Sequence, residues 1–153
     1  VTVRISNPRI RVAAIIVEGD KILLARHEKK GKRYWVLPGG GVDFAETMEE
    51  ALVRELNEEA SVVIRVHELV LANDSIPPNH RRHIVNMYFT AEIVSGKVEV
   101  GKGDKRLVGM KFVPIEKLPR LKMFPDVRKE VFEALQRGFK GHKRYLGNMW
   151  KDM

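Results

Sequence analysis

The stretch from Trp35 to Ala60 constrains the fold more than any other part of the chain. A short apolar run is stopped by Pro38, glycine occupies positions 39, 40 and 41, and an acid-rich segment follows. Proline ends strand pairing, and consecutive glycines let the backbone adopt unusual dihedrals and pass close to other groups. Thr47, with Glu50 three residues later, is a capping-box pair, so a helix opens there and is expected to run to about Ala60. Leu52, Val53 and Leu56 fall on one arc of that helix, which must therefore pack against a sheet or another helix. A strand, a glycine turn and an amphipathic helix in succession exclude an all-helical bundle and point to a layered α/β domain.

The flanking sequence supplies the sheet. Residues 11–17 and 21–25 are short apolar runs separated by Glu18-Gly19-Asp20, which predicts a hairpin. Residues 34–37, 62–71, 84–94, 97–100 and 110–113 carry the β-branched and aromatic residues of strands, with Ser95-Gly96 as a tight turn and 73–80 as a polar loop. After Phe124-Pro125, Asp126 is placed to cap a second helix whose apolar face is Val127, Val131, Ala134 and Leu135, with Gly138 or Gly141 as its stop. These elements predict an α/β sandwich around a mixed sheet. One domain is expected over residues 1–140, followed by a basic and aromatic tail over 141–153.

Composition narrows the chemistry. The 153 residues include no cysteine, so disulfides and thiolate metal sites are excluded, and any metal needs oxygen or imidazole ligands. No apolar run reaches the roughly 18 residues of a membrane span, and Val1-Thr2-Val3-Arg4 lacks the apolar core of a secretory signal, so a soluble cytoplasmic protein is expected. A formal charge of +8 suits an anionic partner. The densest basic runs are residues 26–33 and Arg81-Arg82-His83, either of which also reads as a solvated surface. The interleaved His142, Lys143, Arg144, Tyr145 and Trp150 are expected to pack on their own domain or on a partner subunit rather than on nucleic acid.

The first helix carries an unfavourable excess of acid. At about 100° per residue, Glu55, Glu58 and Glu59 project within an arc of roughly 100°. Like-charge pairs at these spacings cost about 0.2–0.5 kcal/mol each, and acids in a last helical turn about 0.3–1 kcal/mol each. Arg54 returns one positive charge. A hard divalent cation would neutralise the remainder, because Mg²⁺ takes oxygen ligands and shares its shell with substrate phosphates; a solvated acidic face is the alternative.

Residues 40–62, GGVDFAETMEEALVRELNEEASV, resemble the signature of the Nudix hydrolase family, G-x5-E-x7-R-E-U-x-E-E-x-G-U with U aliphatic. Gly40, Glu46, Arg54, Glu55, Leu56, Glu58, Glu59 and Val62 fall in register, while Ser61 stands where the family carries glycine. The resemblance implies an α/β/α sandwich and Mg²⁺-dependent hydrolysis, with Mn²⁺ as a substitute, of a diphosphate linkage in a nucleotide-like small molecule. It implies metal ligation by the Gly39 carbonyl, Glu58 and Glu59. Glu55 would ligate metal or position water, and Arg54 and Glu46 would orient the cluster. Water attack needs a proton acceptor, which the family often draws from a later loop acid; Asp104 and Glu99 are the candidates.

For the substrate, ADP-ribose hydrolases of this family often carry proline about 15 or 16 positions beyond the signature, where Pro77 and Pro78 lie. Conversion of ADP-ribose to AMP and ribose 5-phosphate is the leading expectation. A nucleoside triphosphate pyrophosphatase, or a non-catalytic nucleotide sensor or RNA-binding module, is the alternative. Arg26, Arg81, Arg82 and His83 are candidate phosphate or ribose contacts, and Tyr34, Trp35 and Phe44 candidate stacking groups, with core packing the alternative for each aromatic. ADP-ribose-hydrolysing relatives are often homodimers, so dimerisation is a further expectation.

Overall fold

In the computed structural model, which describes residues 6–152, eight strands form one mixed sheet flanked by helices. Residues 1–4, inspected above for a leader, lie outside the described residues. In chain order the elements are β1 (Arg9–Glu18), β2 (Lys21–Lys29), β3 (Lys32–Val36), β4 (Gly39–Gly41), α1 (Met48–Ala60), β5 (Val62–Ser75), β6 (Ile84–Gly96), β7 (Leu107–Pro114), a 3₁₀ turn (Ile115–Arg120), α2 (Arg128–Gln136) and β8 (Tyr145–Asn148). The strand order is β3-β2-β1-β6-β5-β8, with β4 added on β1 and β7 on β2. The pairs β1/β6 and β5/β8 are parallel, and the others antiparallel.

Alternation along the central strands builds the two cores. Val12, Ala14 and Ile16 of β1, with Leu23 of β2, pack under Ala51, Leu52, Leu56 and Ala60 of α1. The intervening Ala13, Ile15, Ile22 and Leu24 pack against Leu118, Val127 and Val131 on the other face. Successive side chains of a strand point to opposite faces, so a continuously apolar β1 requires helices on both sides. This is the α/β/α sandwich expected from the sequence.

Helix α1 forms as its sequence directs. The Thr47 hydroxyl accepts from the Glu50 N–H at 3.0 Å, and the Glu50 carboxylate accepts from the Thr47 N–H at 3.3 Å, completing the capping box. Its C-cap is Ser61 at φ 59°, ψ 31°, the left-handed conformation that glycine adopts most cheaply.

Five local expectations change. Residues 97–100 are not a strand, and Ser95-Gly96 is the end of β6 rather than a hairpin turn. The segment instead donates Glu99 N–H to the Ala60 carbonyl at 3.0 Å and Gly101 N–H to the Glu59 carbonyl at 2.8 Å. It thereby satisfies carbonyls that the end of α1 leaves without helical partners. The first part of the expected 73–80 loop belongs to β5, which is paired through Ser75 by β6 on one side and reaches β8 on the other. Asp126 does not cap α2: Val127 is the N-cap residue, and the Asp126 carboxylate pairs with Arg128 and Lys151. Residues 145–148, expected within a tail, extend the sheet by pairing with β5. Gly138, at φ 60°, follows α2 as expected.

Candidate active site

Strand β4 places the glutamate helix against the sheet. Gly39, Gly40 and Gly41 pair with Ala13, Val12 and Arg11 of β1, directly beside α1. A Cβ at Gly39 would lie 1.9 Å from the Val12 carbonyl oxygen, and one at Gly40 would lie 2.3–2.6 Å from the Glu55 carboxylate. A side chain at Gly39 is therefore excluded by backbone, and one at Gly40 would displace the Glu55 carboxylate, which rests on bare backbone.

Arg54 ties the acids together. Its Nε and Nη2 donate to the two oxygens of Glu46 at 2.8 and 3.0 Å, Nη1 donates to Glu55 Oε1 at 2.8 Å, and Nη2 also reaches the Gly41 carbonyl at 3.0 Å. Such fork-shaped, charge-assisted bonding fixes geometry in a way a lysine could not. The Arg54 bonds, with the Asp43 N–H, hold the Glu46 carboxyl down to about 2. The same bonds raise the Arg54 guanidinium further. Glu59 behaves in the opposite sense. Burial, only partly offset by Arg11, and the adjacent charge of Glu55 push its carboxyl well above the ordinary range. It also accepts from the Gly39 N–H.

A cleft of about 480 Å³ opens beside this cluster, within the roughly 300–1,000 Å³ of small-molecule sites. Glu55, Glu59 and the three glycines line it near the middle of the strand order. On one side lie His27, Tyr34 and the Asp104–Arg106 pair; on the other, Ser75, Asn86, Arg82 and Trp150. Arg9 and Arg11 of the central strand β1 supply positive charge between them.

The expected site residues divide into those that reach the cleft and those that do not. Gly39, Glu55, Glu59, Asp104, Arg82 and Tyr34 line it. Glu58 is half exposed and lies 3.5 Å from Arg54 Nη1, beside the cluster rather than on the cleft wall. Arg26 and Trp35 point away: their neighbours His27 and Tyr34 face the cleft, and the Arg26 guanidinium stacks on the Trp35 ring at 4.6 Å. Phe44 is fully exposed. Pro77 is buried in a turn whose carbonyl accepts from the His80 N–H at 2.9 Å, and Arg81 is exposed in the same turn, so neither lines the cleft. Glu99 is exposed at the end of α1.

Asp104 is pulled both ways. Burial raises its carboxyl, but backbone and side-chain bonds from Arg106 outweigh it, and the net shift is downward. Burial is the main cause holding the nearby His27 imidazole below its usual value, so His27 is neutral at physiological pH.

Sequence reasoning missed Arg9, Arg11, Asn86, Ser75, Arg106 and Trp150. Strand pairing assembles most of them: Arg11 pairs with Asn86 across β1/β6, and Ser75 pairs with Ile84 across β5/β6. The one available signal was polar residues within otherwise apolar strands, at Arg11, Asn73 and Asn86.

The family profile described as NUDIX domain matches residues 7–135. The chain belongs to the Nudix family. This Nudix hydrolase is 32% identical over 116 residues to the ADP-ribose pyrophosphatase of Methanocaldococcus jannaschii, a match covering 75% of this chain and 67% of that protein. It is 33% identical over 117 residues to the NAD-capped RNA hydrolase NudC of Pectobacterium carotovorum, covering 74% of this chain but 42% of the relative, so it spans less than half of NudC's length. Among solved structures, the MutT NUDIX hydrolase of Burkholderia pseudomallei superposes with a TM-score of 0.71 at 29% identity, over 84% of this chain and 98% of that one. The E. coli ORF135 protein superposes at 0.72 with 25% identity, over 89% and 96%. The general reaction of this Nudix hydrolase is cleavage of a diphosphate linkage in a nucleotide-derived substrate.

The donor set fits a hard divalent cation. Among the described residues, no group of three acids is already gathered in a metal-binding arrangement. Even so, Glu59 sits half-buried against the Glu55 charge with its carboxyl raised, a repulsion that a cation would relieve. Glu58, half exposed and one helical turn from Arg54, has room to turn toward the same edge.

Proposed function

We propose that this Nudix hydrolase converts ADP-ribose and water to AMP and ribose 5-phosphate. The observation that carries this reading is the position of the carboxylates within the cleft. Glu55 and Glu59 lie near its middle, with separate groups of polar and aromatic side chains to either side. A substrate with its diphosphate at the centre and a distinct moiety at each end suits that layout. The likeness to an archaeal ADP-ribose pyrophosphatase supports the same reading.

Glu55, Glu58, Glu59 and the Gly39 carbonyl are the residues assigned to hold Mg²⁺, with Mn²⁺ able to replace it. When bound, such an ion offsets charge on diphosphate oxygens and lowers the pKa of attacking water. Arg54 positions Glu55 and Glu46 and takes no proton. Arg9 and Arg11 face the anionic centre of the substrate, and Arg106 keeps Asp104 ionised at neutral pH, where its carboxylate oxygen can receive the water proton. Glu99 is withdrawn as an acceptor because it lies outside the cleft.

The test is hydrolysis of ADP-ribose, NADH, diadenosine polyphosphates and nucleoside triphosphates with Mg²⁺, by the parent protein and by Glu58→Gln. ADP-ribose is expected to react fastest, giving AMP and ribose 5-phosphate, with activity lost in the variant. Faster release of diphosphate from a nucleoside triphosphate would move the assignment to the pyrophosphatase alternative. Equal activity in parent and variant, or none on any substrate, would overturn the hydrolase mechanism.

A further inference from the structure

Three cleft-lining side chains each present a buried polar atom with no hydrogen-bond partner: Asn86 Oδ1, Arg11 Nη1 and Trp150 Nε1. Buried polar groups are almost always paired, so three bordering one cleft mark a place where a bound molecule would supply the missing partners. Asn86 is the most constrained. Its side chain is buried and its amide NH₂ donates to Ser75 Oγ at 3.3 Å. A relay stands behind Ser75: the Tyr88 hydroxyl donates to Asn73 Oδ1 at 2.6 Å, and Asn73 Nδ2 donates to Ser75 Oγ at 3.3 Å. Asn86 Oδ1 is left as a rigid acceptor without a partner.

Trp150, which lines the same cleft, is held by residues at and after the end of β8. The Asn148 side chain accepts from the Ile76 N–H at 2.9 Å and donates to the Ile76 carbonyl at 3.0 Å, Met149 N–H donates to the Asp74 carbonyl at 2.8 Å, and Lys151 pairs with Asp126 at 3.0 Å. The Arg82 guanidinium lies 5.2 Å from the Trp150 ring centroid and covers one face of the indole. The C-terminal residues are therefore fastened to the cleft wall, where the Trp150 ring is a lining group and its Nε1–H is buried without a partner.

We infer that Asn86 and Trp150 form the base-recognition end of the cleft, selecting a nucleobase that carries an exocyclic amino group. Asn86 Oδ1 accepts from that amine, while the Trp150 ring packs on the base and its Nε1–H donates to a ring nitrogen or carbonyl. A neutral amide backed by a hydrogen-bond relay discriminates donors from acceptors, because a base presenting a carbonyl at that point faces the Asn86 oxygen with another oxygen. The inference rests on the nucleotide-hydrolase reading and specifies which end of the cleft takes the base.

The experiment is calorimetric titration of the metal-free full chain with AMP, IMP and ribose 5-phosphate, which separates binding from catalysis. AMP and IMP differ at the exocyclic position, where IMP carries oxygen in place of the amine. The parent protein is expected to bind AMP about 10-fold more tightly than IMP, and Asn86→Ala to bring the two within about 2-fold. Trp150→Ala is expected to weaken AMP and IMP together by about 10-fold and to leave ribose 5-phosphate unchanged, with Trp150→Phe recovering most of the loss. Melting curves identify any variant that has not folded; Trp150→Phe, which keeps a ring at the position, then carries the test through a smaller equal loss for both nucleotides. Equal affinity of the parent for AMP and IMP, or an unchanged preference in folded Asn86→Ala, overturns the inference. If either occurs while Glu58→Gln still abolishes hydrolysis of ADP-ribose, the reaction assignment stands and only the base site falls.

Discussion

The catalytic edge and the recognition wall of this cleft are built in opposite ways. Gly39 through Glu59 supply the glycine cradle and the acids from one continuous segment, whose spacing follows from a short strand and a helical repeat. The wall containing Ser75, Asn86 and Trp150 draws one residue each from β5, β6 and the segment after β8. Chemistry encoded locally survives changes elsewhere in the chain. Recognition assembled across strands depends on register, since a slip of one residue turns a side chain to the opposite face.

The difference is sharpest where a single charge is removed. Glu59→Gln is expected to lower the maximal rate by about 10³-fold, because it deletes a carboxylate at the reacting edge. Residues on the recognition wall should instead act mainly through substrate affinity. Steady-state kinetics in Mg²⁺ separate the two, and a Glu59→Gln variant with an unaltered rate and raised KM would erase the distinction.

Backbone contact should distinguish the regions next. Gly39→Ala would place a Cβ 1.9 Å from the Val12 carbonyl oxygen, so β4 must shift from β1. Overpacking of this kind costs about 1–3 kcal/mol, measurable by urea denaturation, and the displaced cradle should reduce activity as well. A variant as stable and active as the parent would show that α1 does not need β4 as its seat.

Titration contrasts two acids within the catalytic edge. Glu59 is raised, so between the usual value near 4.5 and its folded value the native protein holds a proton that the unfolded chain has released. Its contribution makes the metal-free protein less stable as pH rises from about 4.5 upward, at most about 1.4 kcal/mol per unit. Glu46, lowered to about 2, has the opposite sign: its stabilisation is present above 4.5 and is lost as pH falls toward 2. Thermal melts in chelator should accordingly decline from mildly acidic to alkaline pH, and Glu59→Gln should flatten that decline. Added Mg²⁺ should raise the melting temperature more at pH 8 than at pH 5. A metal effect independent of pH would argue that Glu59 does not meet the cation.

These contrasts explain what was legible in the sequence. The capping box at Thr47 and Glu50, the apolar arc of α1 and the β1/β2 hairpin follow from nearest-neighbour geometry, and all formed as expected. The acids were correctly located on α1, but which of them turn into the cleft depends on Arg54, which draws Glu58 aside. Arg26 and Trp35 were chosen by residue type. Strand alternation gave the cleft to His27 rather than Arg26 and, of the aromatic candidates, to Tyr34 rather than Trp35, a one-residue parity visible in the β2/β3 pairing. Asn86 and Trp150 had no local signature, because their neighbours in space are distant in sequence. Residues 97–100 have strand composition, yet the open carbonyls at the end of α1 claimed their backbone.

The smallest expected effect lies where the two modes of construction meet, at Ser61. The family's glycine position is occupied here by a serine that still adopts φ 59°, so the backbone conformation is retained at a steric cost. Non-glycine residues in this region lose about 1–2 kcal/mol, of which the Ser61 hydroxyl bond to the Glu99 carbonyl at 3.3 Å returns a part. Ser61→Gly should therefore raise stability by about 0.5–1 kcal/mol, read from denaturant midpoints, and leave the rate unchanged, since every acid of α1 keeps its place. If the variant were less stable, the bond to the 97–100 segment would outweigh the strain, and the end of the catalytic helix would itself depend on distant residues. The helix that carries the acids would then share the weakness of the recognition wall.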